Sequence, residues 1–440
     1  MGEYTRPKSE AEFEQNFAQL KPLMNATEAY YESSRCLFCY DAPCVNACPT
    51  GIDIPLFIRQ INTGNLDGAA KTIYESNFFG HACGKVCPTE VLCEGACVYN
   101  HQDVKPLEIG RLQAHATSAA IAANKKLFDL APSNGKKVAV IGAGPSGIAC
   151  ACELRLLGYE VDVFEAKAQP SGLTVYGVAP YKITNAEALD EMAYLQAQFG
   201  YRVHYNSPIT APEDFERLER GYDAIFLGIG LGKTRDLGLK GESLPGVTGA
   251  TEFIEYLRFA HADVRIPERV VVIGGGNTAM DAASESARLG AAEVTLAYRR
   301  PKADMGAYEF ENDLAKGVGV RGLFSAQPVE IVGNGKAEGV KFIRTEVVDG
   351  QVKEVSGSEF VVPCDMVILA TGQEKQKSLL SQIKGELFDG SGKIKVNAHG
   401  QCVNPQYFAG GDAVNGGAEV VNAAAEGKAA AKGIHSVLGK

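Results

Sequence analysis

Eight of the twelve cysteines fall between positions 36 and 97, in two groups of four. The first reads Cys36-x2-Cys39-x4-Cys44-x3-Cys48-Pro49 and the second Cys83-x3-Cys87-x5-Cys93-x3-Cys97. Where disulfides are not kept, thiols this close together bind metal or do redox work. Zinc prefers paired C-x2-C knuckles, and neither group offers a second such pair. Close cysteines ending in Cys-Pro instead fit iron–sulfur ligation, in which the fourth cysteine of a run serves the other cluster. Crossed in that way, Cys48 joins Cys87 and Cys93, while Cys97 returns to Cys36, Cys39 and Cys44. Spacing alone favours Cys83 as the last ligand of two four-iron clusters. Cys150, Cys152, Cys364 and Cys402 are scattered and read as core thiols.

Two glycine turns carry a second chemistry. Gly142-Ala143-Gly144-Pro145-Ser146-Gly147 follows the apolar run Val138–Ile141, and Glu165 ends the next such run. In a dinucleotide fingerprint the first glycine permits the turn, the second admits a pyrophosphate, and the third lets helix and strand pack. Glu165 is placed to accept from a ribose. The second turn, Gly274-Gly275-Gly276-Asn277-Thr278-Ala279, follows Val270–Ile273. Its next strand ends in Arg299 and Arg300, where an acid would hold a ribose. Arginine there could hold a 2′-phosphate, stack on adenine, or be a solvated pair. Two fingerprints imply two dinucleotides, FAD and a nicotinamide cofactor. Near the C-terminus, Gly410-Gly411-Asp412 ends a strand before a helix, so Asp412 is either a flavin contact or a helix cap.

These residues need positioning elements. Residues 1–130 read as helices and cysteine-bearing loops: the spacing of Ile54, Phe57, Ile58 and Ile61 predicts one helix, and the segment from Ile109 another. Residues 131–137 are a linker by composition. VAVIG and VVVIG are continuous apolar runs, the texture of buried parallel strands. The expected class is α plus α/β: a helical two-[4Fe-4S] domain, then two Rossmann-like domains. An FAD domain is expected over 131–245 and 361–440, with an NAD(P)H domain inserted at 246–360.

Composition narrows the partners. Apolar residues are 45% and charged residues 22% of 440, ordinary for a globular chain. Asp and Glu outnumber Lys and Arg by 53 to 43, a net charge of −10, so nucleic acid is not an expected partner. No uninterrupted apolar stretch is long enough for a membrane helix. The N-terminus is charged and lacks an apolar signal core. A cytoplasmic protein is expected.

The strings RCLFCYDAPCVNACPTGIDIPLFIRQINTGN, CGKVCPTEVLCEGAC and EIGRLQ resemble the N-terminal, electron-input half of dihydropyrimidine dehydrogenase. More distantly the chain is similar to the small subunit of glutamate synthase, whose second cysteine group usually lacks the x5 gap. The resemblance covers nearly the whole chain and changes the ligand set. It implies one cluster on Cys36, Cys39, Cys44 and Cys97, and another on Cys48, Cys87, Cys93 and Gln113, with Cys83 a neighbour only. It implies flavin contacts at Val86, the Gly142–Gly147 turn, Glu165, Leu173, Lys182, Gly411, Asp412, Ala418, Glu419, Val420 and Val421. Nicotinamide contacts are implied at Gly275, Gly276, Asn277, Thr278, Arg299, Arg300, Ala370, Thr371 and Gly372. NADPH-using relatives carry a further arginine where this chain has Gly306, which points to NADH. The implied activity passes electrons from NAD(P)H through FAD and two clusters to an FMN-containing, iron–sulfur partner subunit. That partner would reduce uracil or thymine to the 5,6-dihydro base. No acid, base or nucleophile is required of this chain, so His81, His101 and His115 read as structural or solvated. The alternatives are a glutamate synthase small subunit, a donor to another acceptor, and a non-catalytic assembly subunit. The intact fingerprints and cysteines argue against the last.

Overall fold

The computed structural model describes residues 4–385 and 387–439. The chain forms two compact units, and neither is contiguous in sequence. One comprises residues 20–175, 182–231 and 375–439; the other, residues 4–19, 176–181 and 232–374.

In the first unit the cysteine region is a set of short, capped helices. Asn25 caps Ala26–Ser34 in a reciprocal box with Glu28, Asp53 caps Ile54–Asn62, and Asn65 caps Leu66–Ser76. Ile54, Phe57, Ile58 and Ile61 are buried, as their helical spacing requires. They share a core with Ile109, Leu112 and Ala116 of the Ile109–Ala122 helix, and Cys36, Cys44, Cys48 and Cys93 pack on that core.

The same unit holds a five-stranded parallel sheet. Lys137–Ile141 is central, flanked on one side by Glu160–Phe164 and Arg202–His204, and on the other by Ala224–Leu227 and Tyr407–Ala409. Val138, Ala139 and Val140 are fully buried, so both faces of the sheet are covered. Helix Pro145–Leu156 leaves the central strand through the glycine turn, and the C-terminal helix Val420–Leu438 packs against it.

The second unit repeats this plan. Arg269–Ile273 is central, between Glu293–Tyr298 and Met366–Leu369, with Arg321–Phe324 and Val247–Gly249 outside them, all parallel. An antiparallel sheet of Ala326–Val332, Gly339–Val348, Gln351–Glu354 and Phe360–Pro363 follows.

The boundaries differ from the expected 246 and 360. Met366–Leu369 pairs with Val247–Gly249 and Arg269–Ile273, so residues 361–374 belong with the second fingerprint and not with the flavin fold. The junctions pair with each other: Gly232 N–H donates to Glu374 O at 2.8 Å, and Glu374 N–H to Lys233 O at 2.9 Å. Residues 4–19 also leave the helical domain expected over 1–130. Phe13 stacks on His261 and Phe17 on Tyr181, and Asn16 Nδ2 donates to Arg288 O at 2.8 Å. Burial of Phe17 and Tyr181, with the Phe13–His261 stack beside them, fixes the segment to the second unit.

Candidate cofactor sites

Helix starts and loops bring Cys36, Cys39, Cys44 and Cys97 around one pocket, closed below by Ile54, Ile58 and Ile109. Burial pushes the Cys44 thiol up to about 12, with Cys36 and Cys97 adding to it. Burial also raises Cys36. Cys48, Cys87 and Cys93 form a second neighbourhood. Cys87 is held well above the ordinary thiol range by a hydrogen bond with Cys83, by burial and by the nearby Cys48; Cys93 is raised by burial, Glu94, Cys87 and Cys48. Such thiols ionise only with cationic help, and a coordinating metal deprotonates a thiol outright. Among the described residues no three His, Cys, Asp or Glu converge on a point that would hold a single ion. Four thiols lining one pocket suit the ligation of a multi-iron cluster.

Gln113 is buried on the Ile109–Ala122 helix, and its Nε2 donates to Gly80 O at 2.6 Å. That bond fixes the amide, leaving Oε1 as its acceptor end. Cys83 lies on helix Gly80–Val86 and Cys87 caps it, which explains their contact. Cys150, Cys152, Cys364 and Cys402 are buried. His81 is buried, His101 exposed, and His115 Nδ1 lies 2.9 Å from Met24 O.

At the first glycine turn each glycine meets a different constraint. Gly142 has φ +99, and a Cβ there would lie 2.3 Å from Gly228 O. A Cβ on Gly147 would lie 1.9 Å from Gly142 O. Gly144 faces open space, its nearest neighbour being Gly172 Cα at 3.8 Å from a built Cβ. The turn is thus sterically tight on the protein side and clear where a phosphate would approach. Pro145 opens the helix. Ser146 Oγ, Ser171 Oγ and Thr174 Oγ1 are buried without a hydrogen-bond partner among the described residues. Ser171 N–H donates to Ala143 O at 2.7 Å, which draws the loop carrying Leu173 against the turn. Orphaned hydroxyls are rare in native interiors, and here two of them, on Ser146 and Ser171, belong to the glycine turn and to the loop bonded to it.

Glu165 accepts from Ala143 N–H and from Lys167 N–H, each at 2.8 Å, one per oxygen. A carboxylate has about four acceptor sites, so capacity remains for a ribose. Gly411, φ +76, sits over Ser146, where a Cβ would come within 2.9 Å of the serine Cβ. This aligns Asp412 with the turn. Asp412 Oδ1 accepts from Ala418 N–H at 3.1 Å, and burial raises its carboxyl. Ala418 and Glu419 lead into the helix that starts at Val420; Val421 is buried. Lys182 and Val86 are half-buried at the start and end of nearby segments of this unit.

The second fingerprint differs in detail. A Cβ on Gly274 would lie 2.4 Å from Ala370 O, and one on Gly275 would lie 2.5 Å from the Tyr298 ring. Only Gly276 faces open space. Gly276 is the N-cap of helix Asn277–Arg288, which Thr278 continues. Asn277 Oδ1 accepts from Tyr308 N–H at 3.0 Å. Arg299 and Arg300 bond through their backbone carbonyls, to Thr345 Oγ1 at 2.7 Å and Ser325 N–H at 3.1 Å. Their guanidinium groups have no partner among the described residues. Ala307 N–H donates to Gly275 O at 2.9 Å, which places Gly306 beside the turn. Thr371 and Gly372 are tied to Arg235 by three hydrogen bonds, at 2.8, 2.8 and 2.7 Å.

Sequence reasoning missed a buried acid in the first unit. Glu191 accepts from His81 N–H at 2.6 Å, Ala82 N–H at 2.9 Å and Tyr74 Oη at 3.1 Å. Burial outweighs these donors and raises its carboxyl to about 7. Nothing in the local pattern marks it, because its partners lie over a hundred residues away.

Comparison with known proteins gives the family and the fold. Residues 13–125 match the family described as dihydropyrimidine dehydrogenase domain II, 4Fe-4S cluster. Residues 136–427 match the pyridine nucleotide-disulphide oxidoreductase family. The chain is 34% identical to the small chain of NADPH glutamate synthase of Escherichia coli, over 96% of this chain and 94% of that one. It is also 34% identical to the NAD-dependent dihydropyrimidine dehydrogenase subunit PreT of Escherichia coli, over 97% and 98%. Identity does not rank these two relatives. Among solved structures, Mycobacterium tuberculosis FprA in complex with NADPH superposes with TM-score 0.59 and 21% identity, covering 70% of this chain and 85% of that one, which shows a shared fold. The cofactors are therefore FAD, a nicotinamide dinucleotide and [4Fe-4S] clusters. The chain belongs to the pyridine nucleotide-disulphide oxidoreductase family, as an NAD(P)H-dependent iron–sulfur flavoprotein related to the glutamate synthase small chain and the dihydropyrimidine dehydrogenase subunit.

Proposed function

We propose that this chain is the electron-input subunit of a cytoplasmic dihydropyrimidine dehydrogenase, serving an FMN-containing, iron–sulfur partner subunit that reduces uracil or thymine. The observation that carries this reading is the second cysteine group, with its x5 gap between Cys87 and Cys93, in a chain alike over its whole length to the pyrimidine enzyme's subunit. Bound FAD would supply the conversion of a two-electron hydride into single electrons for the clusters. The chain's own residues hold and insulate the groups. Gly144, Ser146 and the helix start at Pro145 receive the pyrophosphate, Glu165 the adenosine ribose, and Asp412 with 418–421 the ribityl end. Gly276, Asn277 and Thr278 receive the nicotinamide dinucleotide, and the unpaired Arg299 and Arg300 hold its adenosine end. With Gly306 leaving no further cation at the turn, the preferred donor is NADH. Cys36, Cys39, Cys44 and Cys97 ligate one cluster; Cys48, Cys87, Cys93 and Gln113 the other. Leu37 lines the first pocket and, like the nearby Tyr40, is exposed, an apolar rim that a redox partner would cover.

A second reading, glutamate synthase small subunit, is favoured by equal identity to that chain. The test is the native complex, purified anaerobically and assayed for uracil-dependent oxidation of NADH and NADPH. Uracil-dependent NADH oxidation supports the proposal. Oxidation with artificial dyes but not with uracil or thymine, together with glutamate formation, overturns it in favour of the second reading.

A further inference from the structure

The loop that carries Cys87 bears an unexpected cation. Lys21 Nζ donates to Cys87 O at 3.0 Å and to Thr89 Oγ1 at 2.7 Å. Its side chain is 17% exposed, so this is not a lysine waving in solvent. The segment carrying it is strapped down. Arg111 Nε donates to Pro22 O at 2.8 Å, His115 Nδ1 lies 2.9 Å from Met24 O, and Met24 is buried. The ammonium is thereby preorganised beside Cys87 and acts electrostatically on Cys93 as well. Two acids oppose it: Glu90 Oε1 at 3.8 Å, on the surface, and Glu94, half-buried and accepting from Gly110 N–H at 2.9 Å.

We propose that Lys21 is a positioning residue that sets the reduction potential of the cluster held by Cys48, Cys87 and Cys93. Adding one electron to that site makes or breaks no bond; it raises the negative charge by one, and the electron comes from NAD(P)H by the activity already assigned. A fixed cation beside the ligands stabilises the more negative state. Net charge and hydrogen bonding around a cluster are what tune its potential, and partial burial keeps the interaction from being screened away. The inference rests on those cysteines holding a cluster, and it is independent of the terminal acceptor.

The experiment is an anaerobic redox titration of the full chain, followed by electron paramagnetic resonance, with iron content measured alongside. In Lys21→Met, one of the two cluster signals is expected to titrate lower by at least a tenfold change in its reduced-to-oxidised ratio, 59 mV for one electron. The other signal stays in place, and Lys21→Arg restores most of the shift. Unchanged potentials in Lys21→Met with full iron, or an equal shift in Lys21→Arg, overturn the proposal. If Lys21→Met assembles without full iron, Glu90→Gln decides. Removing that anion should raise the potential of the same signal, and no change there overturns the proposal.

Discussion

Two glycines of one motif should fail in opposite ways when each is given a single methyl group. At Gly144 the backbone has φ −76 and ψ 179, a conformation alanine adopts freely, and the methyl would meet nothing closer than 3.8 Å. Replacing glycine by alanine at such a site stabilises a fold by about 0.4–1 kcal/mol through the unfolded chain. Yet the methyl occupies the approach of a pyrophosphate, and FAD affinity should fall at least tenfold, about 1.4 kcal/mol. At Gly147 the methyl would sit 1.9 Å from Gly142 O, where ordinary contacts begin beyond 3 Å. The helix must shift by more than an ångström, and overpacking of this kind costs about 1–3 kcal/mol. The assay pairs urea unfolding of deflavinated protein with FAD titration by fluorescence quenching. Gly144→Ala should unfold no earlier than wild type and bind FAD poorly; Gly147→Ala should unfold early. Wild-type FAD affinity in Gly144→Ala would refute the assignment of this turn to the flavin, and unchanged stability in Gly147→Ala would refute the steric argument.

Cys87→Ser should lose about half of the protein's iron, as one of two clusters fails to form, while Cys83→Ser should keep it all. Equal losses in iron analysis would mean that Cys83, and not Gln113, is the eighth ligand. Glu191 has a carboxyl raised from 4.5 to about 7 in the fold. The native state therefore binds its proton more tightly than the unfolded chain, so stability declines as pH rises from about 4.5 to 7, by about 3 kcal/mol, and is flat above. Urea midpoints across that range should show the slope, and Glu191→Gln should remove it; a slope that persists in the variant would assign it elsewhere. A Cβ on Gly306 would have only Gly275 O near it, at 3.9 Å. Gly306→Arg therefore has room, and steady-state kinetics should show KM for NADPH falling relative to NADH; an unchanged ratio would remove position 306 from the specificity argument.

The parts of the fold that were legible are those whose physics is local. A buried strand, a turn with φ > 0, a helix start and an acid at the next strand end occupy some thirty consecutive residues, so the Gly142–Glu165 unit could be read directly. The cysteine spacing was equally local: it pointed to clusters and by itself favoured Cys83 as the eighth ligand, while Gln113 came only with the family resemblance. Where the Gln113 amide sits is set by its bond to Gly80, across 33 positions. Long-range pairing hid the rest. The ring that makes Gly275 obligatory is Tyr298, the segment 4–19 joins the second unit through Phe13, Asn16 and Phe17, and Glu191 finds its donors 110 and 109 positions away. None of these partners leaves a periodic signature. The sheet that receives residues 366–369 was hidden for a related reason: this apolar run looks alike in either sheet, and only its pairing with Arg269–Ile273 decides.

The discontinuous second unit has a practical bearing on recombination. Its main piece enters and leaves through the backbone pair Gly232–Glu374, whose adjacency makes 232–374 look like a cassette to be exchanged for one of another nucleotide preference. Such a graft would discard the native partners of the stretches left behind. Tyr181 Oη donates to Asp281 Oδ1 at 2.6 Å, Arg288 stacks on the Tyr4 and Tyr181 rings, and Arg258 Nη1 donates to Val178 O at 2.6 Å. A chimera that transplants only the contiguous cassette would bare Phe13, Phe17 and Tyr181 on the recipient; a workable exchange must carry three separate pieces of chain together.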